Sequence, residues 1–153
     1  MLKYCLKKWD ENKKKLEEEL LKDPNLNECE YKHIVEKVVE IILNTNEEYL
    51  WNTEGITEID DGDYQGTLLF LIPRKTYQPT EWEYLMTYVG YGSCSGCDTL
   101  QAIQEDYGEN PISEDQLKGF MALCKDIITN MIKPYNCGWR NEEEFTEVEF
   151  NEG

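Results

Sequence analysis

The chain has 153 residues, 40% of them hydrophobic, with ten Tyr, four Trp and four Phe, and a formal net charge of −17. That length suits one domain and that apolar content a packed core, which excludes global disorder; no apolar run approaches the roughly 18–20 residues of a membrane span. A field this negative argues against direct contact with DNA, RNA or an anionic membrane and favours basic protein surfaces.

Residues 3–22 predict a helix, with Cys5, Trp9, Leu16 and Leu20 at helical spacing and Lys13–Lys15 and Glu17–Glu19 on the wet side. Asp23-Pro24-Asn25 ends it. A second helix is expected from about Glu30 to Leu43, with Tyr31, Ile34, Val35, Val38, Ile41 and Ile42 inward, so that the two form a helical hairpin. The period then shortens. Gly55 to Asp61 alternates as a strand does, Asp61-Gly62-Asp63 reads as a turn, and Tyr64 to Ile72 as an apolar strand closed by Pro73. Trp82 to Tyr91 predicts a third strand, and Asp98 caps a short helix through Gln104. Ser113-Glu114-Asp115-Gln116 is a capping box. It opens a long helix with Leu117, Phe120, Met121, Cys124, Ile127, Ile128 and Met131 inward and Pro134 as its stop. Phe145 to Phe150 alternates again and predicts an edge strand guarded by glutamates. The expected fold is α+β in a single domain, residues 1–153. It comprises an N-terminal helical hairpin, a small antiparallel sheet of three to four strands, and a long C-terminal helix packed on it.

The charge is unevenly placed. Residues 53–63 carry −5 and the segment 141–153 carries −6, whereas residues 1–25 sum to +1. Glu58, Asp60, Asp61 and Asp63 on the hairpin and Glu142, Glu143 and Glu144 in the C-terminal segment are therefore the candidate partner-binding acids. Tyr77 and Trp82 join them, because Tyr77, Trp82, Tyr84, Tyr88 and Tyr91 cannot all share one buried strand face, and exposed aromatics favour interfaces.

Three other patterns bear on chemistry. Cys94-Ser95-Gly96-Cys97 lies between a predicted strand and a helix, where a helix N-terminus stabilises a thiolate, although Asp98 opposes that electrostatically. Cys94, Cys97, Cys124 and Cys137 have the spacing C-x2-C-x26-C-x12-C, four soft ligands for a structural zinc. Plain loop and core thiols lead, ahead of a metal site and of redox work, so no cofactor is expected and zinc stays open. Gly90, Gly92 and Gly96 before a helix can cradle an anion, but they match neither a Walker loop nor a dinucleotide fingerprint, and a tight turn is the better account. Asp60, Asp61 and Asp63, with Glu58 nearby, offer oxygens to Mg²⁺ or Ca²⁺; aspartates on a hairpin turn are also ordinary. His33, the only histidine, falls on the polar side of its helix and reads as solvated. No catalytic constellation is visible. The first residues, Met1-Leu2-Lys3-Tyr4-Cys5-Leu6-Lys7-Lys8, lack the pattern of a signal peptide, so a cytoplasmic protein with reduced thiols is expected.

At Asp63-Tyr64-Gln65-Gly66-Thr67, Ile72-Pro73, Thr76-Tyr77-Gln78-Pro79 and Tyr91-Gly92-Ser93-Cys94-Ser95-Gly96-Cys97-Asp98-Thr99-Leu100, the chain resembles a group of small bacteriophage and prophage proteins. The resemblance covers roughly residues 60–105. It implies a phage context and the cytosol of a bacterial host, and it carries over no site residue. Small acidic phage proteins often inhibit host nucleases or defence systems, some as mimics of DNA. By that analogy the expected function is inhibition of a basic host protein that handles nucleic acid. The alternative is a zinc or dithiol module centred on Cys94 and Cys97.

Overall fold

Tyr4, Cys5, Trp9, Leu16 and Leu20 recur along one stripe of helix α1 (Leu2–Lys22) in a computed structural model, and all five are buried. The structure describes residues 2–45, 50–62, 66–80, 83–92, 98–104 and 112–133. Where the stripe would next place an apolar residue stands Asn12, whose amide donates to the carbonyl of Ile42 at 3.4 Å. That carbonyl belongs to the end of the second helix, so α1 and its successor are tied by a polar bond within an apolar seam.

The second helix differs from its expected form. It is α-helical over Tyr31–Val38 (α2) and then widens into a π-helix over Val39–Leu43, closed by the Asn44 amide bonding the Val39 carbonyl at 2.9 Å. The wider turn lies against α1, and Val39 and Leu43 become core residues beside Ile41 and Ile42. Asn44 then clamps the backbone of Trp51: its side chain accepts from the Trp51 amide at 2.7 Å and donates to the Trp51 carbonyl at 2.9 Å.

A short 3-10 turn over Thr53–Gly55 precedes the sheet, so Gly55 is not strand as its alternation suggested. The strands are β1 (Thr57–Gly62), β2 (Gly66–Pro73) and β3 (Tyr84–Tyr91), antiparallel in the order β1-β2-β3. Asp61 and Gly62 are paired within β1, not in the turn. Gly66 is required where β2 leaves the turn, because a Cβ there would lie 2.5 Å from the Asp61 carbonyl oxygen.

Period-2 alternation and the register give the sheet two faces. Leu68, Phe70 and Ile72 of β2 stand opposite Val89, Thr87 and Leu85 of β3, and this face meets the helices. The hydroxyl of the buried Thr87 donates to the Ile127 carbonyl at 2.7 Å, satisfying one of the last carbonyls of α4 (Glu114–Thr129). The other face leaves Ile59 and Tyr88 exposed.

Helix α4 opens on the expected capping box, with reciprocal Ser113–Gln116 bonds. Gln116 is also buried. Its amide donates to Asn27 Oδ1 at 2.7 Å and to the Ile103 carbonyl at 3.2 Å, linking α4 to the α1–α2 turn and to α3 (Thr99–Gln104). The helix ends at Thr129, before Pro134, because Ile132 leaves it to exchange two backbone bonds with Met86 on the outer edge of β3. The expected strand from Phe145 to Phe150 lies outside the described residues. The architecture is α+β, with a helical layer of α1, α2 and α4 over a three-stranded antiparallel sheet. No described helix is long and apolar enough to cross a membrane.

Candidate partner-binding site

The face of the sheet that meets the helices continues onto β1, but the helices do not. Glu58 stands opposite Phe70 and Asp60 opposite Leu68, so both carboxylates project on the helical side of the sheet, and both are exposed. Between them and the helical layer lies a cleft of about 350 Å³, lined by Glu58, Asp60, Leu68 and Tyr91 from the sheet. Its opposite wall is Cys29, Glu30 and Tyr31 at the start of α2, with Gln101 and Gln104 of α3. Among the described residues, no Lys or Arg pairs with Glu30, Glu58 or Asp60. Asp60 accepts a hydrogen bond from the Tyr91 hydroxyl, which orients it along the mouth of the cleft.

The floor is built on Asp98. This carboxylate is buried and fully engaged, accepting from the Tyr31 hydroxyl at 2.8 Å, the Gln101 amide at 3.0 Å and the Gly92 amide at 3.0 Å. The Tyr31 oxygen in turn accepts from the Leu100 amide at 3.0 Å. Burial, with Asp98 beside it, pushes the Tyr31 phenol above its ordinary range. The Asp98–Gly92 bond ties the residue after β3 to the residue before α3. It also occupies the Gly92 amide, and Gly90 lies within β3, paired with Thr67, so neither glycine amide is arranged as an anion cradle, in keeping with the turn favoured above.

The thiols here are poor nucleophiles. Cys29 is pushed up to about 12 by burial and by the Asp23 and Glu30 charges, and burial also raises the Cys124 thiol. Cys124 lies in the core; Cys94, Cys97 and Cys137 lie outside the described residues. Among the described residues, no three His, Cys, Asp or Glu side chains converge as a metal site requires. Asp60 and Asp61 in particular alternate to opposite faces of β1, so they do not converge on one ion.

Of the acids expected to meet a partner, the structure thus brings Glu58 and Asp60 together and sends Asp61 to the other face. Tyr77 is 93% exposed, but it follows Pro73, at the end of β2 opposite Gly66 and the cleft. Asp63, Trp82, Glu142, Glu143 and Glu144 lie outside the described residues. Glu30, Tyr31, Gln101 and Gln104 were not singled out by sequence. A pairing such as Tyr31 with Asp98, 67 residues apart, leaves no local signal.

His33 is half-buried and is not free in solvent. It is hydrogen-bonded at 2.6 Å to Asp23, a buried carboxylate at the end of α1 that also accepts from the Asn25 amide at 2.9 Å. The turn between the first two helices is held by this pair.

No family model, curated protein or solved structure matches the chain.

Proposed function

We propose that this protein is a non-catalytic binder that seats a basic surface of a bacterial nucleic-acid-handling or defence protein at the β1 cleft and blocks it. The observation that carries the reading is the placement of Glu58 and Asp60. They stand on the core side of the sheet, uncovered by any described helix and without a described cation, facing Glu30 across a cleft. Three unneutralised carboxylates around one concavity create a potential that concentrates Lys and Arg side chains, and that steers a basic partner at a rate that falls with salt. The net charge of −17, of which residues 141–153 carry −6, has the same sign and repels nucleic acid.

The test is affinity capture from a bacterial lysate across a salt series, with wild-type protein beside the Glu58→Lys/Asp60→Lys variant. Expected is retention of a basic nucleic-acid-binding protein that declines between about 50 and 500 mM salt and is lost with the variant. Equal capture by both proteins at every salt concentration refutes the reading.

A further inference from the structure

The two backbone bonds between Met86 and Ile132, each 2.8 Å, set the hydrogen-bond parity of the whole sheet. Met86 directs its N–H and C=O away from β2, so the even-numbered residues of β3 face the outer edge and the odd-numbered ones bond β2. The register runs without a break through Leu85↔Ile72, Thr87↔Phe70 and Val89↔Leu68, which assigns the even residues of β2 to β3 and its odd residues to β1. On β1 the partners of those odd residues are Thr57, Ile59 and Asp61. Glu58, Asp60 and Gly62 consequently turn their N–H and C=O groups out of the sheet.

None of the backbone bonds outside the ladders involves residues 57–62, so among the described residues this edge is unpaired, and all six residues are exposed. The residues with outward backbone groups are also those whose carboxylates overhang the cleft. An open edge is a template for another strand. Its charge selects which one. A second antiparallel copy of β1 would set carboxylates directly opposite Glu58 and Asp60, and like charges opposite one another are destabilising. A strand with Lys or Arg at alternate positions meets both requirements at once.

We infer that β1 takes a basic segment of the partner as an added antiparallel strand, whose Lys or Arg residues stand opposite Glu58 and Asp60 and reach into the cleft. This rests on the reading of that cleft as a seat for a basic partner and specifies its form. Main-chain bonds supply affinity in such strand addition, and alternate side chains supply specificity. In an antiparallel guest, the residues opposite Glu58 and Asp60 are the ones that exchange backbone bonds with them. The amides that matter are therefore those of the basic residues themselves.

The experiment uses the full chain and a fluorescent peptide of about nine alternating Lys and Thr residues, matched to strand length, with binding followed by anisotropy at low salt. Two further peptides carry equal numbers of N-methyl groups, on the Lys amides in one and on the Thr amides in the other. Methylation of the Lys amides is expected to weaken binding by about tenfold or more, and methylation of the Thr amides by less than about twofold. Glu58→Gln and Asp60→Asn each weaken binding severalfold and flatten its salt dependence. Asp60→Pro weakens it further than Asp60→Asn, because it removes an outward N–H that β2 does not use.

If binding falls with salt and with Glu58→Gln but ignores which amides are methylated, strand addition is overturned while the basic-partner reading stands. Sensitivity to Lys-amide methylation without sensitivity to charge overturns the basic guest. A full chain that fails to bind the peptide at all overturns the inference, and lysate capture then decides the function separately.

Discussion

One face of one sheet carries two chemistries. Over β2 and β3 it presents Phe70, Ile72, Leu85, Thr87 and Val89, all buried, with the Thr87 hydroxyl bonded into the end of α4. Along the same rows, over β1, it presents Glu58 and Asp60, both exposed. Register alone would continue the core onto β1. The helical layer stops short of it, and the sequence meets that boundary with carboxylates. An apolar residue at Glu58 would extend the core to an edge that no described helix covers, where a contiguous apolar patch promotes association. The contrast shows that position on the core side of a sheet does not make a residue core; the reach of the covering layer does.

The largest expected effect breaks the covered half. Phe70 is fully buried directly opposite Thr87, and it has no polar group to rescue a cavity. Phe70→Ala is expected to lower the unfolding free energy by about 3–5 kcal/mol, read as a drop in the urea midpoint at unchanged slope. A loss below about 1 kcal/mol would show that β2 and α4 close over the cavity and that the covered half is not tightly packed.

The carboxylates divide in the same way, and a second, smaller effect sharpens that division. Asp23 is buried in the helical layer. Burial by itself raises its pKa, but the bonds from His33 and Asn25 and the nearby His33 and Lys37 charges outweigh it, leaving it below the ordinary 3.8. A carboxyl lowered in the folded state stabilises the fold above its unfolded value and loses that contribution as pH falls through the lower, folded-state value. Asp23→Asn is therefore expected to cost about 1–3 kcal/mol at pH 7. The gap to wild type should narrow only below about pH 4. Urea melts of both proteins between neutral pH and the acid limb check this. A gap that closed while the pH was still above 5 would mean that the Asp23 charge does not hold this turn.

Much of this fold was legible because its signals are local. The stripe Cys5-Trp9-Leu16-Leu20, the capping box at Ser113 and the apolar run of β2 each state their structure within a few residues. Three misreadings share one physical cause, dependence on a distant partner. Val39 and Leu43 are buried because the π-turn meets α1, and α4 stops early because Ile132 pairs with Met86. His33 looks solvated until Asp23 is brought beneath it. The candidate site follows the same rule. Glu58 and Asp60 could be singled out from charge density, but their facing the same way as Phe70, opposite Glu30, requires the sheet register and the edge of the helical layer.

The smallest expected effect on stability is the one that most sharpens the comparison. If Glu58 and Asp60 serve as an open shelf and not as part of the core, combining Glu58→Gln with Asp60→Asn should change the unfolding free energy by no more than about 0.5 kcal/mol, as exposed substitutions do. The side-chain carbonyl that Asp60→Asn introduces still accepts from the Tyr91 hydroxyl, so the substitution removes charge without stripping that bond. Relief of repulsion among Glu30, Glu58 and Asp60 acts in the stabilising direction, and added salt, which screens that repulsion in the wild type, should shrink the difference further. The same pair of substitutions is expected to weaken capture of a basic strand by more than either does alone. A large binding effect beside a negligible stability effect is the signature of residues placed for a partner; a loss of stability comparable to that of Phe70→Ala would instead return β1 to the core.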